Sequence, residues 1–304
     1  MRPPNGDSLG ASMDGSGQRQ HQTIRLPDGR TLGFAEYGDP SGRTVLFFPG
    51  TPSGRLFHHP DESIALSVGA RVVTIDRPGY GLSDFQPGRA LLEWPSDVIA
   101  LADALETDRF AVAGISGGAP YVAACAFRIP GRLTSAAIVG GLGPIDWPGA
   151  MEGMPGERRV GVRLGRRAPW LVRPLLWVRL NPHRNPERFY QRVLAQSSQV
   201  DRAVLTRPEI RAMLIQNWTE ATRRGVRGYA WETVIFSQPW GFRLEDIAME
   251  VHLWHGEEDA SMPLAVGHYL ARTIPMCHST FLPGEGHFLL FDHWAEILAA
   301  MVSC

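Results

Sequence analysis

Short apolar blocks punctuate this chain, and their period changes twice. Residues 23–26 and 31–37 predict two strands joined by a Pro27-Asp28-Gly29 turn. Residues 44–48 form a continuous apolar run closed by Pro49-Gly50, the signature of a strand buried on both faces. Residues 71–75, 110–113 and 135–139 predict three more such strands. Between them, 91–105 carries apolar residues at helical spacing, and 117–127 predicts a helix directly after a strand. Strand and helix thus alternate, which predicts an α/β fold with a mostly parallel central sheet flanked by helices. The alternation stops after Gly140. Residues 147–240 show helical patterns broken by Pro169, Pro174, Pro182 and Pro186, and predict a helical insertion. It then resumes: a strand at 251–254, a helix at 264–274, a strand at 279–282 and a final helix at 287–301.

Composition changes the picture in three ways. A chain of 304 residues with 44% hydrophobic and 20% charged residues has the size and balance of a soluble globular protein, one large domain or a domain with an insertion. No apolar run reaches the roughly 18 residues needed to span a bilayer. The first twenty residues are rich in Gly, Ser, Asp and Gln without a hydrophobic stretch, which predicts a disordered tail, no signal peptide and a cytoplasmic location. Second, all 30 basic residues are arginine. Without lysine there is no Schiff base, no pyridoxal phosphate anchor, no Walker A loop and no Ser-Lys dyad. Codon composition is the plain reading of the absence, ahead of any functional one. Cys125, Cys277 and Cys304 are too few and scattered for a disulfide framework or a zinc site. Third, charge is uneven: residues 151–230 hold 16 Arg against 6 acids, a balance of +10, while the remainder stands at −11.

Candidate chemistry begins at Gly114-Ile115-Ser116-Gly117-Gly118, a G-x-S-x-G motif between a predicted strand and helix. Such a turn strains the serine backbone and needs small neighbours, while the helix N-terminus favours developing negative charge. Serine needs a base, and the base an orienting acid, in the chain order Ser, Asp or Glu, His. The strand at 251–254 runs into His255-Gly256-Glu257-Glu258-Asp259, and that at 279–282 into Pro283-Gly284-Glu285-Gly286-His287. Ser116, Asp259 and His287 are therefore the candidate catalytic residues; Glu257, Glu258 and Asp146 are alternatives for the acid. An oxyanion needs donors. Gly117 N–H is one. Thr51, in the loop Pro49-Gly50-Thr51-Pro52-Ser53-Gly54, is the other, because Pro52 has no N–H.

These motifs, with Asp76-Arg77-Pro78-Gly79-Tyr80-Gly81-Leu82-Ser83-Asp84, Ser116-Gly117-Gly118-Ala119-Pro120-Tyr121 and Pro239-Trp240-Gly241-Phe242, make the chain resemble the α/β-hydrolase superfamily from about residue 23 to 303. The resemblance implies a tail at 1–21, a core formed by 22–145 and 242–304, a helical cap at 146–241, and no cofactor. Many relatives carry His-Gly where this chain has Pro49-Gly50, which removes an imidazole from the oxyanion loop. Serine at the elbow sets the chain apart from epoxide hydrolases and haloalkane dehalogenases of this fold, which use Asp.

The reaction expected is hydrolysis of a small-molecule carboxylic ester, thioester or lactone through an acyl-enzyme. Lyase or cofactor-free oxygen chemistry on the same fold is the alternative, and a non-catalytic binding protein a third. Trp147, Trp170, Trp177, Trp218, Trp231, Phe189 and Tyr190 would either line an apolar pocket or pack the insertion on the core. Arg158, Arg159, Arg163, Arg166, Arg167, Arg173 and Arg179 form either a solvated face or a docking surface for anionic lipid or an anionic substrate. Nucleic acid is the weakest of these partners. His58 and His59 lie just beyond the oxyanion loop, at the pocket edge or in an ordinary loop position.

Overall fold

The computed structural model describes residues 19–303. Nearly all of the predicted tail, and Cys304, lie outside the described residues. Eight strands form one sheet: β1 (Gln22–Arg25), β2 (Thr31–Gly38), β3 (Arg43–Phe48), β4 (Ala70–Ile75), β5 (Phe110–Ile115), β6 (Leu133–Val139), β7 (Val251–Gly256) and β8 (Cys277–Leu282). Their order is β1-β2-β4-β3-β5-β6-β7-β8. The first two pairings, β1 with β2 and β2 with β4, are antiparallel, and every later one is parallel.

The continuous apolar runs follow from burial on both faces. Val45 and Phe47 of β3 pack with Trp294, Ile297 and Leu298, while Leu46 and Phe48 face Trp94, Tyr121 and Val122 on the other side. On the first of these faces lie α1 (Ser63–Ser67) and the final helix; on the second lie α2 (Trp94–Ala104) and α3 (Ala119–Arg128). Helix α1 escaped the sequence reading, because five residues hold barely more than one helical turn and show no period.

Between β6 and β7 stand six helices: α4 (Gly156–Arg167), α5 (Pro169–Arg179), α6 (Pro186–Gln196), α7 (Gln199–Leu205), α8 (Pro208–Ala221) and α9 (Arg227–Ile235). Two of the four prolines that break the helical pattern, Pro169 and Pro186, start helices, and Pro182 lies in a turn. Pro169, Pro186 and Pro208 occupy first turns, where their missing N–H has no partner to lose, and Pro174 alone sits inside one. The chain then returns to the sheet, with α10 (Leu264–Thr273) before β8. One boundary needs correction. The last helix, α11, runs Trp294–Val302 rather than from residue 287. Phe288 N–H donates to the Asp201 carboxylate, and a 3-10 turn at Leu289–Phe291 intervenes, so the apolar run there is a packed turn before a helix.

Candidate functional site

Every candidate side chain stands in a loop at the carboxyl edge of the parallel strands, where open α/β sheets bind ligands. Strand β5 is central. Ser116 follows it with φ of 55°, a left-handed conformation costly for any residue but glycine. The close approach behind that turn explains its glycines. A Cβ on Gly118 would run into the Phe48 carbonyl, and one on Gly114 would come within 2.9 Å of the Gly118 backbone. Ser116 C=O accepts from Leu142 N–H at 3.0 Å, which ties the turn to the loop after β6.

Asp259 and His287, in the loops after β7 and β8, meet directly. His287 Nδ1 lies 2.7 Å from Asp259 Oδ2. A carboxylate only accepts, so Nδ1 carries the proton and Nε2 is left as the lone-pair nitrogen. Asp259 Oδ1 accepts from Ser261 N–H at 2.8 Å and Met262 N–H at 2.7 Å, so three donors converge on one buried carboxylate. Glu257, Glu258 and Asp146 are exposed instead. Burial alone would lower the His287 pKa. The Asp259 charge and hydrogen bond, with Asp201 beyond, outweigh it and hold the imidazole above its ordinary value. Gly140, with φ of 48°, packs under the pair, where a Cβ would lie 3.2 Å from both Asp259 Oδ2 and His287 Nδ1.

Thr51 and Gly117 are adjacent: a Cβ on Gly117 would collide with Thr51 Oγ1. The loop that carries Thr51 is held by residues the sequence reading did not single out. Arg77 donates to the carbonyls of Pro49 and Gly50, the latter at 2.9 Å, and to Thr51 Oγ1 at 3.1 Å. Arg77 is itself neutralised by Glu232 of α9, at 2.5 Å. Glu232 also accepts from Thr51 Oγ1 at 2.6 Å, Tyr80 OH at 2.8 Å and Tyr121 OH at 2.9 Å. Both charges are fully buried. Burial works to raise the Glu232 pKa, but Arg77 and Arg89 hold the carboxyl below its usual range. Arg77 thereby anchors the loop. On the same loop, Asn217 of α8 accepts from Gly54 N–H at 3.0 Å and donates to Ser53 Oγ at 2.5 Å.

Asp201 of α7 does the corresponding work on the histidine loop. Its Oδ1 accepts from Phe288 N–H at 2.8 Å, its Oδ2 from Ser198 Oγ at 2.8 Å, and a Cβ on Gly286 would run into the carboxylate. Neither Glu232 nor Asp201 carries a local motif. Their burial marks them, and only the fold reveals it.

Ser116, Gly117, Thr51 and His287 line one cavity of about 440 Å³ between the strand edge and the inserted helices. Its walls include Leu142, Val172, Leu176, Phe189, Trp218 and Phe236. Of the tryptophans named from sequence, Trp218 borders it. Trp147 stacks on Tyr269, Trp231 packs on Phe85, and Trp170 and Trp177 are exposed. His58 stacks on Tyr37 at 4.4 Å, and His59 Nε2 meets the Phe291 carbonyl at 3.0 Å; both lie away from this cavity. Cys125 and Cys277 are free thiols. Among the described residues, no helix is long and apolar enough to cross a membrane.

Solved structures share this architecture. An esterase from Thermogutta terrifontis superposes with a TM-score of 0.66 at 21% identity, over 92% of this chain and 96% of its own. An esterase from Exiguobacterium antarcticum gives 0.69 at 15%, over 93% and 100%. A bromoperoxidase from Bacillus anthracis gives 0.69 at 20%, over 93% and 100%. A non-heme chloroperoxidase from Streptomyces lividans is 32% identical over 126 residues, 40% of this chain, and the match spans 45% of that relative's length. The model of the alpha/beta hydrolase family matches residues 45–300, and the chain belongs to that family.

Proposed function

We propose that the protein hydrolyses carboxylic esters of small to medium apolar substrates through an acyl-enzyme on Ser116. The observation that carries this reading is the buried His287–Asp259 hydrogen bond of 2.7 Å in a cavity that Ser116 also lines, with the serine in a strained left-handed turn. His287 Nε2 takes the Ser116 proton as Oγ attacks the carbonyl carbon. Asp259 keeps the proton on Nδ1 and stabilises the imidazolium. The oxyanion receives hydrogen bonds from the N–H groups of Gly117 and Thr51. The imidazolium returns its proton to the leaving alcohol, and His287 then activates water, which releases the acid and restores Ser116. Residues 146–241 act as a cap over the cavity.

The esterase neighbours support ester hydrolysis at the level of the fold. The relative named a non-heme chloroperoxidase, a name for oxidative chemistry without haem, is the observation behind a second reading, cofactor-free oxygen chemistry at this site. Labelling with a fluorophosphonate, together with p-nitrophenyl esters of graded chain length, separates the two. Wild type is expected to be labelled and active, and Ser116→Ala to be neither. Equal labelling of Ser116→Ala overturns the serine mechanism; labelling without turnover of any ester supports the second reading.

A further inference from the structure

We propose that Arg158 is the carboxylate-binding residue of the cavity, so that the preferred substrates are esters carrying a carboxylate on an otherwise apolar body. The inference rests on the ester-hydrolase reading above and names its substrate class.

Helices α4 and α5 hold seven arginines and one acid. Arg158 and Arg179 both line the cavity that Ser116 and His287 line, but six of the seven, Arg179 included, are exposed and Arg158 alone is half-buried. Its Nη1 donates to the Ser261 carbonyl at 3.1 Å and meets Met262 Sδ at 2.7 Å, and neither contact neutralises its charge. Among the described residues, no carboxylate forms an ion pair with it. The contrast with Arg192 is informative. That arginine lines the same cavity but is paired with Glu157. Arg158 is a half-buried cation with no ion pair of its own: the Asp259 charge reaches it, but that carboxylate is committed to His287, Ser261 and Met262. Burial lowers its pKa to about 10, so it stays charged at neutral pH. A guanidinium presents a planar fork that fits a carboxylate with two parallel hydrogen bonds.

Position points to substrate as the missing partner. Ser261 and Met262 hold Arg158 through a carbonyl and a sulfur, and hold Asp259 Oδ1 through their N–H groups. The cation is thereby fixed beside the Asp259–His287 pair. Its charge also opposes protonation of His287, and a bound carboxylate would offset that effect. The remaining wall, including Val162, Leu176, Phe189 and Trp218, is apolar and suits the uncharged body.

Two matched substrate pairs test the idea: p-nitrophenyl hemisuccinate against p-nitrophenyl butyrate, and 4-acetoxybenzoate against its methyl ester. Wild type is expected to favour the charged member of at least one pair in kcat/KM. Arg158→Gln should reduce that activity by roughly 10- to 100-fold, the usual worth of a charge-assisted hydrogen bond, mostly through KM, and leave the neutral member within about threefold. Arg158→Lys should recover part of it. If Arg158→Gln lowers both members equally and shifts only the pH profile, the arginine tunes His287 and the proposal falls. If wild type cleaves the neutral esters without preference for charge, the proposal falls and the hydrolase reading stands. If no ester is cleaved, the hydrolase reading fails; titration of Ser116→Ala with succinate against dimethyl succinate then decides the subsite, and equal binding overturns it.

A different observation carries a second inference: the outer face of α4 and α5 docks on an anionic lipid surface. Trp170 is 71% exposed, Trp177 49% and Val178 77%, with Leu171 beside them. Arg163, Arg166, Arg167 and Arg173 are exposed on the same helix pair and form no ion pair among the described residues. Exposed tryptophan among unpaired arginines is the chemistry of an interfacial helix, apolar side chains entering the headgroup layer and cations meeting lipid phosphate. Full-length protein should sediment with vesicles of phosphatidylcholine containing 30 mol% phosphatidylglycerol, and much less with phosphatidylcholine alone. The Trp170→Ser, Trp177→Ser double variant should weaken that binding by at least about tenfold and leave soluble-ester turnover unchanged. Absence of binding at low salt, equal binding of the variant, or a dimer in solution that the double substitution dissolves would each overturn it.

Discussion

Two acids from the inserted helices grip opposite walls of the cavity, and they do it differently. Glu232 reaches the oxyanion loop as one half of an ion pair: Arg77 holds the loop carbonyls, and Glu232 holds Arg77. Asp201 reaches the histidine loop without a cation, by accepting from a backbone N–H and a serine hydroxyl. An acid in the first arrangement has a buried partner that suffers when it leaves. In the second, its removal frees an N–H and a hydroxyl but strands no charge. The comparison teaches that two equally buried carboxylates need not matter equally, because the cost of removal is set by what stays behind.

The largest effect should follow from stranding Arg77. Glu232→Gln is expected to lower unfolding free energy by about 3–5 kcal/mol, read from urea denaturation, because a fully buried guanidinium loses its counter-charge. Ester turnover should fall with it as the Thr51 loop loosens. Replacing Arg77 and Glu232 together by methionine sharpens the point: part of the stability should return, less the loss at Arg89 and the tyrosine hydroxyls, while turnover should not, since the loop carbonyls stay unheld. If Glu232→Gln costs no more than Asp201→Asn, the distinction between the two anchors is wrong.

Asp201→Asn should cost less, about 1.5–3 kcal/mol for one hydrogen bond to a charged acceptor. It has a second signature. Asp201 helps to raise the His287 pKa, so its neutralisation should move the acid limb of the pH–rate profile downward. An unmoved limb would show that the acid acts on the loop alone.

His287 also sets stability and activity against each other. Its folded pKa lies above the ordinary 6.5, so the protonated form is the better bound. That stabilisation is complete below 6.5 and is lost as pH rises through the folded value. In the proposed mechanism catalysis needs the neutral ring and rises over the same window. Melting temperature and kcat/KM, followed together from pH 6 upward, should therefore move in opposite directions, and His287→Gln should flatten the contribution to melting. The smallest effect belongs to the exposed contact between insertion and core, Arg224 with Asp84 at 3.1 Å. Arg224→Ala should change stability by no more than about 0.5 kcal/mol, which marks what a bridge across the same boundary is worth in water.

Much of this architecture was legible in the sequence, wherever the information is local. The β3 run and the β1–β2 turn announce themselves within a few residues, as does the Gly-rich turn at Ser116, because strand burial and turn geometry act over that distance. Asp259 was legible as a choice among three acids in one turn, but not as the one whose carboxylate is buried and held by Ser261 and Met262. Glu232 was not legible at all. Its partner Arg77 lies 155 residues away, and nothing beside Trp231 or Thr233 distinguishes it from a surface acid. The final helix was placed seven residues early because Phe288–Phe291 is a buried apolar run like a helix face, yet it turns as a 3-10 segment within a loop fixed by Asp201, 87 residues upstream. Pattern reports the wish of each segment, and distant partners decide the exceptions.

The buried pair between α9 and the core has a consequence for traffic. Swinging the whole insertion outward would expose Arg77 and Glu232 together and pull the Thr51 loop out of place, so α9 is the fixed jamb of the doorway. The opposite post is different. There Glu157 of α4 and Arg192 of α6 meet in the open at the cavity rim, a latch that water can replace at little cost. Parting α4 from α6 therefore breaks only that exposed pair, while the Thr51 and His287 loops stay held by Glu232 and Asp201.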